Sequence, residues 1–245
     1  DEAGHQLAEL LHDHGVVLQA VRSAALVTTQ KIRAVCRRQQ LLRMDVERPP
    51  PASSVQALHD LVIDQLPHHR WVLLSDYGKG CLAGCDGLIR RATAHGCRVL
   101  VDPKGDDFDR YRGAWLLKPN AAEAARVAGS WADRADFERR MGALREALAL
   151  TDLLVTEGEH GLTLFSPDRA PLHLAALRRE VYDVSGAGDT VLATLAAQLA
   201  AGRTLDDAAA WANRAAGLVV GKFGTASVQP AELQAAAADL AATPV

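Results

Sequence analysis

The stretch DVSGAGDT, residues 183–190, sets three small residues, two of them glycine, directly before an aspartate. Just upstream, Glu180-Val181-Tyr182 reads as strand, and downstream, Thr190-Val191-Leu192-Ala193 reads as helix. A strand-to-helix junction built this way exposes successive backbone N–H groups at a helix N-terminus, where anions are favoured. Asp189 falls in the first turn, against that same positive end. Two readings share this spacing. One is an N-capping aspartate after a flexible loop. The other is an anion hole with a carboxylate base beside it. The rest of the chain has to separate them.

The chain has 245 residues, enough for one large α/β domain or two small ones. Hydrophobic residues make up 49%, which excludes wholesale disorder. A formal net charge of −3 gives no global basic field for nucleic acid or an anionic membrane. No apolar run approaches the roughly 20 residues that span a bilayer. The opening DEAGHQLAELLHDHG is acidic and amphipathic, unlike a signal or transit peptide, so a cytoplasmic location is expected. Cys81 and Cys85 are spaced i, i+4 on an expected helix, but no zinc-spaced pair follows them. With Cys36 and Cys97 they read as reduced thiols. His12, His14, His68, His69, His95 and His160 fall at element ends or in polar loops, so no cage of protein metal ligands is expected.

Leu7, Leu10 and Leu11 mark one face of a first helix ending at Gly15. Val16–Val21 reads as a strand, and residues 28–47 as two adjoining strands around a polar RRQQ centre. RPPPASS (48–54) is the clearest break, with Ser53 or Ser54 able to cap the next helix. Then the order becomes regular. Helix 55–66, strand 71–76, helix 82–95, strand 98–102, strand 114–119 and helices 121–128 and 134–149 follow in turn. Strand 152–158 leads into a hairpin-like EHGLTLFSP, and helices 190–201, 206–219 and one from about 230 complete the chain. Short apolar strands alternating with amphipathic helices predict an α/β fold with a parallel sheet covered on both faces.

Ligand sites in such sheets lie at the carboxyl ends of the strands. SDYGKG, DPKGDD, KPNAAE, TEGEHG and DVSGAGD all fall there. Converging loops carrying Asp, Lys, Asn, Glu and a glycine nest describe a phosphate-handling cleft. The common nucleotide fingerprints are missing, however. VVGKFGT (219–225) imitates the Gly-Lys pair of a P-loop but follows a helix, and neither G-x-G-x-x-G nor G-x-S-x-G occurs.

DVSGAGDTVLATLAAQLAAG resembles the signature of the ribokinase (PfkB-type) family of carbohydrate kinases. The resemblance implies a ribokinase-like three-layer sandwich, ATP as co-substrate and Mg²⁺. It makes Asp189 the base that deprotonates the sugar hydroxyl, with Gly186, Ala187 and Gly188 as the anion hole. KPNAAE resembles the family's Asn-x-x-Glu element, so Asn120, Ala121, Ala122 and Glu123 are expected at the ATP phosphates, with Glu123 acting indirectly on Mg²⁺. VTEGEHG resembles the family's strand and turn that flank the nucleotide, which implies Thr156 and Gly158 near its phosphates or ribose, and Asn213 is expected beside the adenine.

The middle of the chain, above all DPKGDDFDRYRGAWLLKPNAAEA, is similar to the branch of that family that phosphorylates a heptose 7-phosphate at O1 for ADP-heptose and lipopolysaccharide. A phosphorylated sugar calls for fixed cations. Lys104, Arg112 and Arg43 are the expected substrate ligands; Arg110 stays open between that role and a solvated charge, and Lys31 and Arg33 read more simply as exposed strand charges. Ribokinase-type chains usually begin with a sugar-gripping strand and lid strands before the first helix seen here. The resemblance therefore implies a single kinase domain, 1–245, that lacks its N-terminal segment and most of its lid, with 28–47 as lid or substrate-side strands. It also implies a small-molecule sugar phosphate as partner, no nucleic acid or membrane, and a homodimer. Two alternatives stay open: a family kinase acting on another sugar, and a sugar- or nucleotide-binding regulatory protein without chemistry.

Overall fold

A computed structural model describes residues 1–36, 39–177 and 181–241. The chain divides into two units, Asp1–Pro67 with Tyr77–Ala83, and His68–Asp76 with Gly84–Val245.

The first unit holds α1 (Glu2–Asp13), an antiparallel pair β1 (Gln30–Cys36) and β2 (Gln39–Val46), and α2 (Ala52–Gln65). Asp1 caps α1 by accepting the Gly4 N–H at 2.9 Å, and its carboxylate also accepts the Thr28 N–H and hydroxyl. The two expected strands at 28–47 are present, although Arg37 and Arg38 of their polar centre lie outside the described residues. Every residue of β1 is exposed, including Ile32 and Val35, so alternation here does not bury a face.

The second unit is built on a six-stranded sheet in sequential order: β3 (Trp71–Ser75), β4 (Arg98–Asp102), β5 (Leu116–Leu117), β6 (Asp152–Thr156), β7 (Leu162–Phe165) and β8 (Leu172–Leu174). β3 to β6 run parallel, and β7 and β8 are antiparallel additions. The apolar runs split by the two-residue period of a strand. Leu100, Leu116 and Leu154 join Leu162 and Leu164 in one core against α6 (Ala187–Ala200) and α7 (Leu205–Val219). Val99, Val101, Leu117, Leu153 and Val155 are also buried, on the alternate positions. α3 (Cys85–Ala94) packs on β4, and α4 (Ala121–Ala128) and α5 (Arg134–Ala147) on β6, giving the third layer. α8 (Pro230–Ala241) packs on α7.

Several expectations need correction. Val16–Val21 is not a strand: Val17 is 88% exposed, and an apolar run with no sheet edge to join stays irregular. α2 is not capped by Ser53 or Ser54, since Pro51 takes the N-cap position and Ser54 N–H donates to its carbonyl. Cys81 and Cys85 do not share a helix, because Gly84 turns with φ +72° and α3 begins only at Cys85. The expected strand 114–119 pairs only over Leu116–Leu117. β8 was not foreseen, as its LHL core is three residues long. Its approach requires Gly161, where φ is +96° and an added Cβ would lie 2.0 Å from the Leu174 carbonyl oxygen. Before α6, Val181 and Tyr182 are not in a strand, and Glu180 lies outside the described residues. Among the described residues no helix is long and apolar enough to cross a membrane.

Candidate active site

Parallel pairing lines up the carboxyl ends of three strands in the second unit. Ser75 pairs with Asp102, Asp76 N–H donates to the Asp102 carbonyl, and Lys118 N–H donates to the Val101 carbonyl. Asp76, Asp102 and Lys118 thus stand in a row. A bridge between Asn120 and Thr156 extends it to β6. Lys118 is 2% exposed, and its Nζ lies 3.0 Å from Asp102 Oδ1.

The start of α6 sits on this ion pair. A Cβ added to Gly188 would lie 3.3 Å from Lys118 Nζ and 3.8 Å from Asp102 Oδ2, so a larger residue here would have to shift the lysine end by a few tenths of an ångström. The helix begins earlier than its sequence suggests, at Ala187, because Gly186 adopts a left-handed φ of +80° as N-cap. Thr190 locks the turn by donating both its N–H and its hydroxyl to the Gly186 carbonyl. Ala187 N–H is used by the Val184 carbonyl at 3.2 Å. Gly188 N–H has no hydrogen bond among the described residues. Asp189 is therefore the third helical residue rather than the cap, which removes the capping reading. Its charge, with that of Glu123, acts on Asp102. Burial pushes the Asp102 carboxyl above the usual range, Lys118 opposes this, and Asp189 and Glu123 add to it.

At the next strand end, Asn120 and Glu123 form a capping box on α4. Asn120 Oδ1 accepts the Glu123 N–H at 2.8 Å, and Glu123 Oε2 accepts the Asn120 N–H at 3.1 Å. Ala121 and Ala122 follow in the first helical turn, and their N–H groups have no acceptor among the described residues. Glu123 is buried, and its Oε1 accepts from Lys104 Nζ at 3.0 Å. Lys104 is half-exposed and leaves β4 through the DPKG loop. That loop is pinned from below by the fully buried Tyr111, whose hydroxyl donates to Asp76 Oδ2 at 2.7 Å and accepts the Lys104 N–H at 3.1 Å. Burial, reinforced by the Asp76 carboxylate, pushes the Tyr111 phenol well above its ordinary value. Arg110 adds an ion pair to Asp76 at 3.2 Å.

The second unit thus brings together Lys104, Asn120, Glu123, Thr156 and the 186–189 turn, all at strand ends or helix starts. Gly158 opens the turn after β6 with φ +60°. Asn213 lies on α7 and donates to the Ala175 carbonyl at 2.7 Å. Arg112 is held by the Ala147 carbonyl and the Asp109 carboxylate. Arg43 belongs to the first unit, where it pairs with Asp45 at 3.0 Å and stands opposite Arg33 across the strands. Asp102, Lys118 and Tyr111 were not singled out from sequence. The available signal was a lysine closing the apolar run Trp115-Leu116-Leu117, since a cation at such a position needs a buried partner. Among the described residues no group of three or more His, Cys, Asp or Glu is arranged to hold a metal ion alone. Carboxylates beside a helix N-terminus instead fit a hard cation such as Mg²⁺, which is commonly held by one or two carboxylates together with phosphates of a bound ligand.

Residues 1–232 match the family model described as pfkB family carbohydrate kinase. The chain is 51% identical over 236 residues to a protein of Azotobacter vinelandii named "Bifunctional protein HldE", covering 96% of this chain and 50% of that one. It is 47% identical over 233 residues to a "D-beta-D-heptose 7-phosphate kinase" of Bordetella bronchiseptica, covering 95% and 74%. The chain spans about half the length of the bifunctional relatives it matches. Among solved structures, phosphofructokinase-2 from Escherichia coli superposes with a TM-score of 0.80 at 16% identity, covering 97% of this chain and 79% of that one. A ribokinase from Thermotoga maritima gives 0.79 at 18%, covering 97% and 78%. Sharing their ribokinase-like α/β fold, and matched by the family model over most of its length, this chain belongs to the pfkB family of carbohydrate kinases.

Proposed function

We propose that this chain transfers the γ-phosphoryl group of ATP to O1 of D-glycero-D-manno-heptose 7-phosphate, giving the 1,7-bisphosphate used in ADP-heptose formation for lipopolysaccharide. The observation that carries this is the 47% identity, over 95% of the chain, to the relative named for that activity. On this reading the chain is one kinase domain working in the cytoplasm, where ATP is available. The exposed apolar residues Ile32, Val35, Leu42 and Met44 of β1 and β2 support pairing of two copies through that hairpin.

The chemistry is an in-line displacement. Asp189 accepts the proton of the O1 hydroxyl as it attacks, and the 186–188 segment at the positive end of α6 stabilises charge on the transferred group. The Gly188 amide and the Lys118 ammonium below it support that role. Asn120, Ala121, Ala122 and Glu123 hold the phosphate end of ATP at the start of α4, with Thr156, Gly158 and Asn213 along the rest of the nucleotide. Glu123 would help hold Mg²⁺ indirectly, together with the ATP phosphates, and the ion would supply neutralisation of phosphate charge. Lys104, Arg112 and Arg43 are assigned to the sugar phosphate.

The test is ADP release by the complete protein with heptose 7-phosphate, fructose 6-phosphate and ribose as acceptors. Catalytic efficiency at least tenfold higher for heptose 7-phosphate is expected. A preference for either other sugar overturns the substrate assignment, and no turnover with any acceptor favours a binding protein without chemistry.

A further inference from the structure

At the opposite end of the sheet, where β3 and β4 begin, lies a cavity of about 490 Å³ within the second unit. Its walls carry His68, His69, Arg70, Trp71, Arg98 and Arg203, and the end of α6 closes one side. From Asp189 to Ala200 the helix rises roughly 16 Å, so this cavity is separate from the candidate active site.

Two of its cations are positioned by aromatic faces rather than by carboxylates. Arg98, the first residue of β4, lies over the rings of both Trp71 and Trp115, 5.3 and 5.1 Å from their centroids. Those rings themselves meet edge to face at 5.4 Å. Arg203 is positioned by the way α6 ends. Gly202, with φ +84°, donates its N–H to the Leu199 carbonyl, and Arg203 N–H donates to the Gln198 carbonyl, the paired bonds of a Schellman turn. These bonds occupy carbonyls at the negative end of α6 that would otherwise repel an anion. The Arg203 guanidinium then rests 5.4 Å from the Trp211 ring centroid. Among the described residues, neither Arg98 nor Arg203 nor Arg70 is paired with a carboxylate. Aromatic faces hold the cations in place while their N–H forks stay available for an oxyanion.

We propose that this cavity is a second ligand site, taking a small molecule with multiple phosphoryl charges. The volume suits a small ligand. Arg98 already covers Trp71 and Trp115, so the site recognises charge rather than an aromatic base.

The probe is inorganic pyrophosphate, titrated into the full chain by calorimetry and by tryptophan fluorescence, at low and raised salt. Wild type is expected to bind with an affinity that falls as salt rises. Arg98→Met and Arg203→Met, made separately, are each expected to weaken binding about tenfold or more. ATP binding and the thermal midpoint serve as controls and should stay unchanged in at least one variant. Equal affinity in wild type and both variants overturns the proposal, since pyrophosphate is then bound at the carboxyl end of the sheet. Absence of binding at millimolar pyrophosphate overturns it as well.

Discussion

Replacing Lys118 by methionine keeps most of the side-chain volume and removes one buried charge. Its ammonium is 3.0 Å from Asp102, only 2% of the lysine is exposed, and the Asp102 side chain is 18% exposed. Removing one partner of a buried pair costs about 3–5 kcal/mol, because the other charge is left uncompensated. At about 2–4 °C per kcal/mol for a domain of this size, the thermal midpoint should fall by roughly 6–20 °C. The loss has a pH signature. Burial already raises the Asp102 carboxyl above its ordinary value, and Lys118 opposes that rise. Without Lys118 the folded state holds the proton to still higher pH, whereas the unfolded chain releases it in the ordinary carboxylate range. The folded state then binds more protons, so stability falls as pH rises through that window. Urea denaturation of Lys118→Met should therefore show a small deficit near pH 5 and the full deficit at pH 8. Adding Asp102→Asn removes the stranded charge and should restore more than half of the loss. A deficit independent of pH, or a double variant no more stable than the single one, refutes the reasoning.

Asp189→Asn should retain ATP binding, measured by calorimetry, while turnover falls by about two to four orders of magnitude. More than a tenth of wild-type turnover removes Asp189 from the role of base. Lys104→Ala should lower catalytic efficiency for heptose 7-phosphate about ten- to a hundredfold and matter little for free heptose. Equal losses on both sugars would instead assign Lys104 to the ATP side with its partner Glu123. Tyr111→Phe removes a hydrogen bond to the buried Asp76 carboxylate and one from the Lys104 backbone, so it should destabilise the fold by about 1.5–3 kcal/mol in urea titrations. A change below about 0.5 kcal/mol would show that the hydroxyl does not anchor the DPKG loop.

The layered architecture was legible because its signals are local. A run such as RVLVD reports a buried strand by composition alone, and the structure forms β4 over those five residues. The helix expected over 121–128 likewise forms over Ala121–Ala128, while the capping box between Asn120 and Glu123, three residues apart, is a start signal that the reading of those residues as nucleotide ligands passed over. Failures came where a local signal depends on a distant partner. Val16–Val21 has strand composition but no strand beside it. Trp115 to Lys118 has the composition of a longer strand than the two residues that pair.

The same distinction explains what was missed at the site itself. Nothing near Lys118 in sequence says what neutralises it, because its partner Asp102 lies 16 positions earlier and on another strand. Parallel pairing makes them neighbours: Val101 aligns with Leu117, which brings the next residue on each strand, Asp102 and Lys118, to the same end. Gly188 then has a reason that the sequence alone does not state. A glycine before an aspartate reads as loop flexibility, yet here it lies in the first turn of a helix, where flexibility is a cost. Its value is the absent Cβ, which would otherwise lie 3.3 Å from the lysine ammonium. The small residues of DVSGAGDT therefore do two different jobs. Gly186 supplies a positive φ that starts the helix early enough to move Asp189 off the cap, and Gly188 supplies proximity to the buried cation. Gly188→Ala tests the second job alone: it should gain about 0.5–1 kcal/mol in helix propensity yet crowd Lys118 Nζ at 3.3 Å. Stability should hold or rise while turnover falls, and unchanged turnover would refute a role for this proximity.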